Sequence, residues 1–184
     1  MIQLRRIRQG DLGLLFKMRN DPSVYKWCRQ YAPLHWEAHE AWYLRQARDS
    51  SLEMFAVSVY EELVGCVGLT SIDLVNRRAE FSCYIGKDHQ GKGYGKEALK
   101  LLLEFGFMDL GLNRIWGESF AGNPALLVFE KLGFQKEGIR LDHYYRAGRF
   151  IDAHLVSISA SEYFAAKSSK ETKSATKLSL HTSA

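Results

Sequence analysis

A mixed α/β domain, with helices interleaved among strands, is the fold class this sequence predicts. Some segments alternate apolar and polar residues with period two. Others repeat apolar residues at i, i+3, i+4 and i+7, and the two kinds succeed one another along the chain. No internal repeat is visible, and no Pro/Gly/Ser-rich linker interrupts residues 1–166. A hydrophobic fraction of 46% with 25% charged residues excludes a wholly disordered chain, a collagen and a disulfide miniprotein.

The elements follow in order. Residues 2–7 alternate as a strand, and 11–19 form a helix whose Leu12, Leu15 and Phe16 share a face. Residues 36–48 give a second helix. Residues 54–59 and 63–72 read as a hairpin turning at the acidic pair Glu61-Glu62. In 79–86, Phe81, Cys83 and Ile85 alternate with Glu80, Ser82 and Tyr84, the period of a strand. Glycines at 91, 93 and 95 break that pattern, and 96–110 becomes helical with Ala98, Leu101, Leu102, Phe105 and Met108 on one face. Residues 114–119 return to strand. Asn123-Pro124 then starts a helix, with Asn as N-cap and Pro at the first helical position, and Gly133 ends it. Strands over 135–145 and 150–159 close the domain around Ala147-Gly148.

One domain over residues 1–166 is expected, followed by a flexible Ser/Thr/Lys-rich tail over 167–184. The tail carries Lys167, Lys170, Lys173 and Lys177 against the single acid Glu171. Setting these aside brings the 25 basic and 21 acidic residues almost into balance. A nucleic-acid binder concentrates positive charge in its folded body, so no nucleic-acid partner is expected. No stretch reaches the ~18 apolar residues of a membrane helix, so no membrane partner is expected either. The start carries Arg5, Arg6 and Arg8 in place of an apolar leader core. Cys28, Cys66 and Cys83 are an odd set without a Cys-x-x-Cys pair. Both features predict reduced thiols and a cytoplasmic location.

The chemistry concentrates in Gln90-Gly-Lys-Gly-Tyr-Gly95, between a strand and an amphipathic helix. Glycines allow close backbone approach, and a helix start presents free N–H donors at a positive dipole end, a natural seat for a pyrophosphate. The spacing is not the G-x-G-x-x-G of dinucleotide folds. Gly86 to Lys92 satisfies the G-x-x-x-x-G-K of a P-loop, but Gly93 stands where the magnesium-binding hydroxyl is needed. His35 and His39 make H-x-E-x-H, not the zincin H-E-x-x-H, so no metal site is expected.

Gln90, Gly93 and Gly95 resemble the acyl-CoA loop Q/R-x-x-G-x-G/A of the GCN-five-related (GNAT) N-acetyltransferases. The stretch from Asn123 to Phe134, with Phe129-Glu-Lys-Leu-Gly-Phe134, resembles a second segment of that superfamily, and the likeness extends over residues 2–164. The resemblance implies a mixed, largely antiparallel sheet of about seven strands, helices on both faces and a splay between strands four and five. It implies acetyl-CoA as cosubstrate and direct attack by a primary amine in a ternary complex. It places cofactor contacts at Cys83, Tyr84 and Ile85, at Gln90, Gly91, Lys92, Gly93, Tyr94, Gly95 and Lys96, and at Asn123. Glu118 and Glu80 are the candidate bases. Family members that use a tyrosine to protonate the departing thiolate have it where this chain has Phe129, so Tyr84, Tyr94, Tyr144 or Tyr145, or solvent, would have to serve.

Within the superfamily the chain looks like the RimJ/RimL branch. Asn76 to Phe81 followed by Gln90-Gly-Lys-Gly is similar to spermidine N-acetyltransferases. The segments bearing Arg19, His39, Thr70 and Tyr84 are similar to the amino-sugar acetyltransferase of pseudaminic acid synthesis, which implies Arg19, His39 and Thr70 as substrate contacts. An amino-sugar nucleotide, a polyamine and a protein N-terminus are the expected acceptors, in that order, and a homodimer is compatible with the family. A non-catalytic acyl-CoA-binding regulator is the alternative that the missing tyrosine leaves open.

Overall fold

The computed structural model describes residues 1–179. Seven strands form one sheet: β1 (Ile2–Arg6), β2 (Glu53–Val59), β3 (Glu62–Asp73), β4 (Arg78–Ile85), β5 (Arg114–Phe120), β6 (Gln135–Arg146) and β7 (Arg149–Ser159). Their order across the sheet is β1-β2-β3-β4-β5-β7-β6. Every neighbouring pair is antiparallel except β4 with β5, which is parallel.

Two helical layers cover the sheet. On one face lie α1 (Leu12–Arg19), the short α2 (Pro22–Tyr25) and α3 (Trp36–Gln46). They close a small core in which Leu12 and Leu15 meet Met54, Ala56 and Cys66, with Trp42, Tyr43 and Tyr84 packed alongside. On the other face, α4 (Tyr94–Glu104) and α5 (Ala125–Leu132) cover the larger core. There Val57, Val67, Leu69, Ala79, Phe81 and Ile115 meet Ala98, Leu99, Leu102, Leu103 and Phe129. Period-two alternation along β4 therefore sends Phe81, Cys83 and Ile85 to the α4 face and Glu80, Ser82 and Tyr84 to the other.

Several expectations are corrected in detail. The helix expected over 96–110 is α4 followed by a π-helical turn, Phe105–Asp109. Such a turn inserts an extra residue and shifts the buried face. Phe107 is buried where Met108 was expected, and Met108 is 56% exposed. The β2–β3 turn lies at Tyr60-Glu61, both left-handed with φ of 49° and 68°, one residue earlier than the acidic pair suggested. The sequence reading did not anticipate α2, although Asp21-Pro22 signals it: the Asp21 side chain accepts from the Ser23 N–H and Pro22 takes the first turn. A last helix, α6 (Ala160–Ser179), follows β7, and residues 180–184 of the expected tail lie outside the described residues. Among the described residues no helix is long and apolar enough to cross a membrane.

The sheet leaves little room between its inner strands. A Cβ on Gly68 of β3 would stand 2.3 Å from the Glu53 carbonyl oxygen and 2.7 Å from the Met54 Cα, both main chain of β2. Gly68→Ala therefore has to push strands apart. It is expected to lose about 2 kcal/mol or more and to lower Tm by about 5 °C or more in a thermal melt, with no direct effect on cofactor contacts.

Candidate active site

The pairing of β4 with β5 covers three positions only: Arg78 with Arg114, Ala79 with Ile115 and Glu80 with Trp116. Beyond Glu80 the strands part. One cause is local: the Phe81 ring occupies the space above Gly117, where any Cβ would meet it at 2.3 Å. That ring is held by edge contacts to Phe129 and Phe134 at 4.9 and 5.0 Å. As β5 leaves, residues 82–85 of this inner strand become partly exposed, although 79–81 are buried. Residues Cys83, Tyr84 and Ile85, expected to offer main-chain groups to a pantetheine arm, are thus on the stretch of β4 that has lost its neighbour.

The loop after β4 ends at the start of α4. Gln90 ties it back through Nε2–H donated to the Ile85 carbonyl at 2.9 Å. Gly91 and Gly93 adopt left-handed φ of 76° and 82°, and nothing lies within 4 Å of a Cβ built on either. Gly93 is the N-cap of α4, and the first bond of the helix ladder runs from the Glu97 N–H to the Gly93 carbonyl. The N–H groups from Gly93 to Lys96 therefore stand at the open end of the helix without intrahelical acceptors. Donors, left-handed glycines and open space together fit a pyrophosphate. Lys92 is exposed and Lys96 is partly so. α5 starts one residue later than expected, with Pro124 as its N-cap; Asn123 precedes it, its Oδ1 accepting the Ala125 N–H at 3.0 Å, which leaves the Nδ2 end of the amide to offer.

Both candidate bases lie on the opposite face, and both are buried and ion-paired. Glu80 is 7% exposed at its side chain, with Oε1 2.7 Å from the guanidinium of Arg29, which comes from the loop after α2 and is 54% exposed. Glu118 is 2% exposed; Oε2 accepts from Arg140 at 2.5 Å and Oε1 accepts from the Tyr144 hydroxyl. A bulge in β6 brings Arg140 and Tyr144 to the same carboxylate: they pair with Ala153 and Ile151, so four residues of β6 span two of β7. Burial, and donation to the Glu118 carboxylate, push the Tyr144 hydroxyl up to about 12. Arg146 fastens this hairpin to the loop, stacking on Tyr31 at 5.0 Å and donating to the Arg29 carbonyl at 2.6 Å.

The remaining expected residues are placed as follows. Tyr84 turns its hydroxyl toward Cys66 beneath α1 and α3, and burial raises it well above its ordinary value. Phe129 is buried in the aromatic cluster of the opposite face. Arg19 keeps a buried Nη1 without a hydrogen-bond partner. His39 is 4% exposed, donates from Nε2 to the Leu12 carbonyl at 3.2 Å and stacks on Trp42 at 5.2 Å, so it packs α3 onto α1. Burial lowers its pKa. Thr70 Oγ1 donates to the Glu80 carbonyl at 3.4 Å, beside the groove. Sequence reasoning missed Arg29, Arg140 and Arg146, because arginines in a loop and a hairpin carry no periodic or motif signal.

The split sheet thus carries a donor-rich helix start on one side and buried carboxylates on the other. Residues 2–135 match the family model described as an acetyltransferase (GNAT) domain, so the chain belongs to the GNAT N-acetyltransferases, enzymes that use acetyl-CoA. It is similar to the N-acetyltransferase p20 of Bacillus licheniformis, with 33% identity over 88% of this chain and 94% of that one. It is also similar to the spermidine N(1)-acetyltransferase of Escherichia coli K12, with 30% identity over 89% of each. Among solved structures it resembles the spermidine N-acetyltransferase of Vibrio cholerae in complex with CoA and spermine, with a TM-score of 0.83 and 27% identity over 89% of this chain and 98% of that one.

Proposed function

We propose that the chain acetylates a primary amine by direct attack in a ternary complex, the amine entering on the Glu80–Glu118 face of the parted strands. The observation that carries this reading is the end of β4–β5 pairing at Glu80 and Trp116, with a carboxylate on each strand beside the opening. Acetyl-CoA supplies an activated acyl carbon and a thiolate leaving group. The Gly93–Lys96 amides would hold its diphosphate, and the exposed β4 main chain from Cys83 to Ile85, with Asn123, its arm.

The amine must first lose a proton. With a pKa near ~10.4, about one amine in 2,500 is neutral at pH 7, a handicap of roughly 4 to 5 kcal/mol. Glu80 or Glu118, directly or through a water, accepts that proton. The departing thiolate, with a conjugate acid near ~8.5, needs no side-chain acid. Tyr84 faces Cys66, so Tyr84→Phe is expected to keep kcat within about threefold. Cys83 packs against the α4 core and burial pushes its thiol up to about 12, so it is a poor nucleophile at neutral pH. Cys83→Ala is likewise expected to keep turnover; a near-complete loss, or trapping of an acetylated Cys83, would establish a two-step route instead.

For the acceptor, the arginines favour an amine that also carries negative charge, an amino-sugar nucleotide in the first instance. Each buried carboxylate at the opening already has a guanidinium partner, and Arg19 holds an unpartnered N–H near Tyr84. A polyamine is the second reading, favoured by the near full-length similarity to spermidine enzymes. Acetyl-CoA-dependent thiol release with an amino-sugar nucleotide, spermidine and a peptide N-terminus separates them. Release with none would leave a CoA-binding regulator.

A further inference from the structure

On the face that carries Glu80 and Glu118, a cavity of about 500 Å³ lies beside Trp116. Its walls are Ser71, Asp73 and Arg78 from the β3–β4 turn region, Arg114 and Trp116 of β5, and Glu137 and Arg140 of β6, with Leu155 of β7. We propose that this chamber binds an oxyanion, phosphate or carboxylate, carried by the far end of the acceptor amine. The inference rests on the transferase reading above and adds a subsite that none of the motif residues predicted.

Three features support it. First, the chamber adjoins the two carboxylates through its lining residues. Trp116, on its floor, is the cross-strand partner of Glu80, and Arg140, in its wall, is the partner of Glu118. Secondly, three guanidinium groups reach the chamber, each held by one carboxylate: Arg78 by Asp73, Arg114 by Glu137 and Arg140 by Glu118. Arg114 is committed to Glu137 through both terminal nitrogens and to Ser157, and that contact holds Glu137 below the usual carboxylate range. Arg78 touches Asp73 only through Nε at 3.3 Å, and Arg140 touches Glu118 through Nη1. Both line the chamber, their other N–H groups are outside these contacts, and both are about half exposed at the side chain, 57% and 45%. Planar guanidinium donors of this kind suit phosphate and carboxylate oxygens. Thirdly, the spacing is defined. Two residues along β4 separate Glu80 from Arg78, roughly 7 Å at strand rise. An acceptor with its amine at Glu80 therefore presents its oxyanion about one pyranose ring away.

The test compares glucosamine 6-phosphate with glucosamine, two amines differing by one phosphate across the ring, by calorimetry on the CoA-saturated chain. The phosphorylated amine is expected to bind at least tenfold more tightly. Arg78→Glu and Arg78→Gln are each expected to reduce that preference to threefold or less, while the CoA affinity stays near that of the parent and, for the glutamine variant of this half-exposed residue, so does the melting temperature. Equal binding of the two amines, no binding of the phosphorylated one, or a preference untouched by Arg78→Glu would overturn the subsite. Failure of the transferase reading has a separate signature: no thiol release with any amine, whatever the calorimetric preference.

Discussion

Gly93→Val is expected to weaken CoA binding at least tenfold while leaving the melting temperature within about 3 °C of the parent. Gly93 holds φ of 82° and ψ of −1° as the N-cap of α4, and a Cβ there meets nothing within 4 Å. The cost to a side chain is thus conformational, not steric crowding: roughly 1–2 kcal/mol for an L-residue in the left-handed region, and most for a β-branched one. Gly93 is exposed, whereas Ala98, Leu99, Leu102 and Leu103 anchor the helix in the core. Relaxing the loop is therefore cheaper than disturbing the helix. Relaxation re-aims the N–H groups from Gly93 to Lys96, the donors proposed for the diphosphate. A loss of 1.4 kcal/mol is tenfold in affinity, and several misaimed donors exceed that. Gly93→Asn, which tolerates the left-handed region, should fall between valine and glycine. CoA titration of the three proteins decides: equal affinities would mean that these amides do not hold the diphosphate.

Most of the fold was legible because it rests on local signals. Period-two alternation in β4 and the Asn123-Pro124 start of α5 each have a residue-level cause, and the structure places both near where those causes put them. The β6–β7 turn at Ala147-Gly148 was read for the same reason, both residues being left-handed. The misses arise where the backbone departs from ideal periods. A π-helical turn after Glu104 carries no composition signature, so the face of α4 was extrapolated through it and Met108 was expected where Phe107 is buried. The candidate site divides the same way. Its glycine loop is contiguous in sequence and could be read directly. The environment of the two carboxylates is assembled from Arg29, Arg140 and Tyr144, far from either glutamate in sequence, and depends on a bulge in β6 that no local pattern announces. Glu80 and Glu118 were readable as acids beside the splay; their arginine partners emerge only from tertiary packing.

Replacing both Glu80 and Glu118 with glutamine is expected to lower kcat at pH 7 by about 100-fold or more, the scale of a lost general base. The pH dependence carries the diagnosis. An acceptor ammonium must shed its proton, and each pH unit below its pKa of ~10.4 reduces the neutral fraction tenfold. The deficit of the double variant should therefore be largest near neutrality and shrink as pH rises, because solvent then supplies the neutral amine unaided. The single variants should differ. Glu118 is engaged at both oxygens, by Arg140 and Tyr144, so little of it is available to an incoming amine. Glu80 has one ion pair, to an arginine that is 54% exposed and can swing into water when a substrate arrives. Glu80→Gln is accordingly expected to produce most of the kinetic loss. Glu118→Gln should act more through loosening of the β6 hairpin, with a measurable fall in melting temperature from leaving Arg140 without its buried partner. A parent-like pH–rate profile in the double variant would remove both carboxylates from proton transfer and leave solvent as the base.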